Sequence, residues 1–103
     1  MMRLVPFHLP NGETAIGCEV LLPKTTLLSI ATPFGYIMCG ALDIALLNSK
    51  LSERKIVAGR AVGVRTLEEL FAAPLESVTK EAEAKGIVPG MLGYEALTLM
   101  LKP

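Results

Sequence analysis

The sequence predicts an α+β fold: N-terminal β-hairpins in a mixed sheet, one β-α-β crossover, and C-terminal helices packed on the sheet. Three observations predict it. Turn signals at Asn11-Gly12 and at Pro33-Phe34-Gly35 separate short apolar runs of alternating or β-branched character. Two further apolar runs bracket a segment with helical spacing, which makes a strand-helix-strand unit. From Thr66 onward the signals are helix caps and i,i+4 charge pairs.

In the first strand Val5, Phe7 and Leu9 alternate, as in a half-buried strand. Pro6 has no N–H to donate to a ladder, which places this strand at a sheet edge. After the Asn-Gly turn, the return strand carries Ile16, Cys18, Val20 and Leu22 on one face and Ala15, Gly17, Glu19 and Leu21 on the other. A strand apolar on nearly both faces is covered on both. In so short a chain another subunit is a natural second cover. Pro23-Lys24 breaks the chain, and residues 26–31 make a third strand. Pro33 and Gly35 suit the second and fourth positions of a reverse turn, and residues 36–39 make a fourth.

Asp43 then suits the N-cap or first turn of a helix. Ile44, Leu47 and Leu51 fall on one face of that helix, and Arg54 and Lys55 lie at its C-terminal end. Residues 56–62 make a fifth strand, parallel to the fourth across the crossover, so that Cys39-Gly40 comes near Gly63-Val64-Arg65. Thr66 and Glu69 form a capping box for a helix that ends before Pro74. A further helix is expected from Pro74 to about Lys85, with Leu75, Val78 and Ala82 inward and the pairs Glu76–Lys80 and Glu81–Lys85 outward. Gly86 fits its left-handed C-terminal cap. Residues 91–101 make the last helix, weakened by Gly93 near its start.

The chain has 103 residues, the length of one domain spanning 1–103. Half of its residues are hydrophobic (51%), more than a chain this short can hide alone, so part of its surface is expected to be covered by copies of itself, and the doubly apolar second strand points to the β region of about 1–40 as the part that serves homo-oligomerisation. The formal net charge is zero, aromatics make up 5% and there is no Trp, which speaks against nucleic-acid binding. Residues 25–42 carry no charge, yet Thr25, Thr26, Ser29 and Thr32 and the turn at Pro33 make them two strands rather than a membrane span. Two cysteines and the lack of a signal-peptide pattern suit a reducing cytoplasm.

Two constellations can carry chemistry. A thiol just before a helix start is favoured as the thiolate, so Cys39 is a candidate nucleophile with Asp43 or an arginine, Arg60, as its assistant. The opposing readings make Cys39 a small buried hydrophobe and Asp43 a helix cap. The only histidine, His8, sits on the first strand, which makes a Cys–His dyad hard to build. The second constellation runs over residues 59–66, Gly-Arg-Ala-Val-Gly-Val-Arg-Thr. Between Arg54 and Leu67 there are four basic residues and no acid. Gly40, Arg60, Gly63, Arg65 and Thr66 are candidate ligands for a small anion such as a carboxylate or phosphate. The opposing reading pairs Arg60 with Asp43 or Glu19 and uses Gly59 and Gly63 for close packing. Cys18, Cys39 and His8 lack zinc spacing, so no metal site is expected, and no cofactor motif is present. A Cys18–Cys39 disulfide is disfavoured in a cytosolic protein.

The stretch Gly-Tyr-Ile-Met-Cys-Gly-Ala-Leu-Asp-Ile-Ala-Leu-Leu-Asn at 35–48 is followed by Ile-Val-Ala-Gly-Arg-Ala-Val-Gly-Val-Arg-Thr at 56–66 and Ala-Pro-Leu-Glu-Ser-Val-Thr at 73–79. With these motifs the chain resembles the YunC-like family of small bacterial and archaeal proteins, a domain of unknown function. The resemblance implies a single compact domain whose N-terminal β region is used for tetramerisation. It implies no activity and no catalytic residues. The expectation is therefore a cytoplasmic homo-oligomer, a tetramer, that binds a small anionic ligand near the ends of strands four and five. A Cys39-dependent enzyme and a ligand-free scaffold are the rivals.

Overall fold

The computed structural model describes residues 1–40, 44–49 and 52–103. One six-stranded sheet runs β1 (Met2–His8), β2 (Thr14–Leu22), β3 (Thr25–Thr32), β4 (Gly35–Met38), β5 (Ala58–Arg60) and β6 (Ser77–Val78), in that spatial order. All neighbours are antiparallel except β4 and β5, which are parallel as the crossover requires. The helices are α1 (Ile44–Ser49), α2 (Leu67–Ala72), α3 (Lys80–Ala84) and α4 (Gly93–Leu99), with a short 3-10 turn at Ser52–Arg54.

Register explains which side chains are buried. One row crosses all six strands as Val5, Gly17, Ile30, Ile37, Gly59 and Val78. The helices cover this face: α2 packs on β2 and β3, and α4 on β4 and α2. Leu67 and Leu70 of α2 and Ala96 and Leu97 of α4 are wholly buried against Leu28, Ile30 and Ile37. Phe7, Phe71 and Tyr94 stack in series, with ring centroids 5.0 and 5.6 Å apart. The C-terminal end is pinned where Thr32 Oγ1 donates to the Met100 carbonyl at 2.7 Å.

The adjacent row, Leu4, Cys18, Ser29, Met38, Arg60 and Ser77, points to the other face. Over the N-terminal strands that face is open. Met2 is 65% exposed, Leu4 62% and Ile16 47%, with Leu22 also exposed and Val20 and Leu27 half-buried. The doubly apolar second strand is therefore covered on one side within the chain and bare on the other.

Turn chemistry follows the sequence closely. The Gly12 N–H closes a turn on the Leu9 carbonyl at 2.9 Å and Gly12 takes φ +89°, while Asn11 Oδ1 accepts from the Glu13 N–H at 3.1 Å. Pro6 lies on the edge strand.

Three expectations need correction. The helix expected from Pro74 to Lys85 is split into β6 and α3. The Glu76 N–H donates to the Arg60 carbonyl at 2.7 Å and the Thr79 N–H to the Ala58 carbonyl at 2.9 Å, so 76–79 completes the sheet beside β5. A three-residue strand with a free edge outcompetes the local helical preference of this segment. Pro74 bridges Leu92 instead of starting a helix, and the ion pairs expected of Glu76 with Lys80 and Glu81 with Lys85 do not form. Lys85 Nζ donates to the Lys102 carbonyl. Leu75, Val78 and Ala82 are nonetheless all buried. The fifth strand is shorter than 56–62: its ladder covers Ala58–Arg60, with one backbone bond each to Val57 and Ala61 at its two ends. Gly93 is a contact rather than a weak point. A Cβ there would lie 2.5 Å from the Leu70 carbonyl oxygen and 2.9 Å from Ile37 Cδ1, so only glycine lets α4 come this close to α2 and β4.

Candidate functional site

Because β4 and β5 are parallel, Cys39-Gly40 and the residues after Arg60 leave the sheet at the same end. The Ala61 N–H donates to the Met38 carbonyl at 2.9 Å and extends the pairing just past Arg60. Arg60 stands opposite Met38 on the open face. Its Nη2 donates to the Gly40 carbonyl at 3.3 Å and its Nη1 to Glu76 Oε1 at 3.1 Å. Its Nε is buried with no hydrogen-bond partner among the described residues. Glu76 is held in turn by the Ser77 hydroxyl, which donates to the same Oε1 at 2.7 Å. The Ser77 hydrogen bond, followed by the Arg60 charge and hydrogen bond, keeps the Glu76 carboxyl below its ordinary value of 4.5. Arg60 and Gly40 are thus brought together, while the partner of Arg60 is Glu76 rather than Glu19. Glu19 pairs with Arg3 at 3.3 Å across the first hairpin. Asp43 lies outside the described residues.

The other candidates are placed differently. Cys39 follows Ile37 on the helix-covered face, 7% exposed among core side chains. The sheet separates its thiol from Arg60, which leaves by the opposite face. It also separates Cys39 from Cys18, and both cysteines are free. Gly63 takes φ +75° with nothing within 4 Å of a built Cβ, so it shapes a turn rather than a close packing contact. Gly59 does pack closely, with Leu75 Cδ1 2.7 Å from a built Cβ. The Arg65 side chain is exposed and in no ion pair among the described residues. The start of α2 is filled by its own side chains: Thr66 Oγ1 accepts from the Glu69 N–H at 3.0 Å, and Glu69 Oε1 accepts from the Arg65 N–H at 2.6 Å. Glu69 reaches one residue further back than a standard capping box does.

Sequence reasoning missed Glu76, the acid that orients Arg60, by assigning it to a helix. The β-branched pair Val78-Thr79 directly after Glu76-Ser77 was the signal available for a strand and a cap. Among the described residues no group of three or more His, Cys, Asp or Glu side chains converges as metal ligands. No helix among the described residues is long and apolar enough to cross a membrane.

The model of a family described as a domain of unknown function (DUF1805) matches residues 38–100. The uncharacterised protein YunC of Bacillus subtilis (strain 168) is 57% identical over 102 residues, which span 99% of this chain and 100% of that protein. The crystal structure of a protein of unknown function, TA1206 from Thermoplasma acidophilum, superposes with a TM-score of 0.84 at 28% identity, covering 97% of this chain and 93% of that one. The matched segment begins at the end of β4 and takes in the crossover, both basic stretches and all four helices.

Proposed function

The chain belongs to the DUF1805 family, and we propose that it works as a cytoplasmic homo-oligomer, a tetramer, that binds a small anionic ligand beside the C-terminal ends of β4 and β5. The observation that carries the assembly is the open sheet face. Met2, Leu4, Ile16 and Leu22 are exposed side by side on strands whose other face carries Val5, Phe7, Ala15 and Gly17 against the core. A soluble chain seldom leaves such a face bare, and a second copy offers the same apolar surface in return. Two free cysteines fit a reducing compartment.

The ligand reading rests on Arg60. Its Nε is buried without an acceptor, and a buried unpaired donor costs about 1–3 kcal/mol. An anionic oxygen beside Gly40 would complete it, with the unpaired Arg65 side chain supplying a second charge. Nucleophilic catalysis by Cys39 has no comparable support, because the thiol lies among core side chains.

Light scattering on the purified chain is expected to give a mass that is a multiple of 11.0 kDa. A monomer would refute the assembly. Small carboxylates and phosphates screened by thermal shift are expected to raise the Tm of wild type more than that of Arg65→Ala. Equal responses would remove Arg65 from the site.

A further inference from the structure

The basic residues between 54 and 65 divide between the two ends of β5. Arg60 and Arg65 lie at or beyond its C-terminal end, while Arg54 and Lys55 precede its start. The second pair has a groove of its own. It measures about 280 Å³ and lies between the β3–β4 turn and the chain entering β5, with walls that include Phe34, Tyr36, Arg54, Lys55 and Ile56. No carboxylate lines it, and neither cation is in an ion pair among the described residues. Thr32 Oγ1, also on its wall, is already committed, donating to the Met100 carbonyl and accepting the Phe34 and Gly35 N–H groups.

Lys55 takes φ +51°, a left-handed conformation that favours glycine and that it shares, among the described side-chain residues, only with Lys24 of the β2–β3 turn. Of these two lysines it is the one that lines the groove. We propose that this groove is a binding site for a small organic anion, a phosphate ester or carboxylate with an apolar body. Arg54 and Lys55 hold the charged oxygens, and Phe34 and Ile56 receive the body. The mixed lining fits this class, since bare charge needs no aromatic wall and an apolar ligand needs no paired cations. Burial raises the Tyr36 hydroxyl above its ordinary value of 10.0. The site lies at the opposite end of the parallel strand pair from Arg60 and does not depend on the Arg60–Arg65 reading.

The test is a ¹H–¹⁵N titration of the whole protein with phenyl phosphate, benzoate and inorganic phosphate. Saturable shifts of the Gly35, Tyr36 and Ile56 amides are expected with phenyl phosphate or benzoate, and the stronger of the two identifies the headgroup. An Arg54→Gln/Lys55→Gly variant keeps its fold, because glycine is at ease where Lys55 sits. It is expected to bind about tenfold more weakly or worse, the loss of at least one charge-assisted contact. Lys24→Gly, which removes a cation of the same backbone conformation in the β2–β3 turn, is expected to leave the shifts of these three amides as in wild type. The proposal is overturned if, read at the Gly35, Tyr36 and Ile56 amides, neither organic anion gives saturable shifts, the double variant binds as tightly as wild type, or inorganic phosphate binds as tightly as phenyl phosphate.

Discussion

At the scale of single residues, Thr79 illustrates how one oxygen decides the local structure. It is buried, and its Oγ1 accepts from the Ala58 N–H at 3.1 Å and the Ala82 N–H at 3.2 Å. One bond ties the segment to β5 and the other caps α3. Thr79→Val keeps the shape and strands both donors, so a loss of about 2–4 kcal/mol is expected in chemical denaturation. Thr79→Ser retains the oxygen and is expected to lose about 1 kcal/mol, the methyl group alone. A valine variant as stable as wild type would show that these bonds contribute nothing net. The sequence marks Thr66 as a cap because Glu69 follows at the right spacing, but no such partner advertises Thr79. For the same reason the Arg60–Glu76–Ser77 cluster was only half legible. The basic stretch is visible in one dimension, whereas its acid arrives through a strand of two residues.

Among the elements, period and turn chemistry were read correctly where the chain pairs with its neighbour in sequence. The hairpins, the crossover and the capped α2 follow from Asn11-Gly12, Pro33, the spacing of Ile44 and Leu47, and Thr66. Reading failed where a distant edge overrode local preference, as at Ser77–Val78, and where a glycine answered to a tertiary neighbour. Gly93 shows this most sharply. By helix propensity alone, Gly93→Ala gains about 1 kcal/mol. The structure reverses the sign, because the new methyl group would meet the Leu70 and Phe71 carbonyl oxygens at 2.5 and 2.9 Å. A Tm lower than wild type is therefore expected for Gly93→Ala in calorimetry. A higher one would mean that α4 does not sit as closely on α2 as described.

At the level of the whole molecule, the open face sets the expected behaviour in solution. Leu4 and Cys18 are cross-strand partners on it, whereas Cys39 is in the core. Leu4→Glu places a charge in the middle of the apolar surface and is expected to shift the protein to single chains in light scattering. Alkylation reads the same event chemically. Cys18 is expected to react slowly in the wild-type assembly and at a free-thiol rate in Leu4→Glu, with Cys39 protected in both until the chain unfolds. Rapid alkylation of Cys18 in concentrated wild type would contradict burial of this face between copies. The surplus of hydrophobic residues announces such a surface, but composition does not say which strands present it. Register does, by sending every second residue of β1–β3 away from the helices.

The order of strands across the sheet repeats their order along the chain. No strand must be threaded between two already paired, so each can be added to an existing edge in chain order, and the three hairpin pairings among β1–β4 need only short closures. The exception is the clasp between Thr32 and Met100, which spans most of the chain and forms only when the last helix is complete. Until then Ile37 and the inner face of β4 lack the cover that α4 provides. Pairing within the sheet thus runs between neighbours along the chain, while the cover of β4 is supplied from the far end of the sequence.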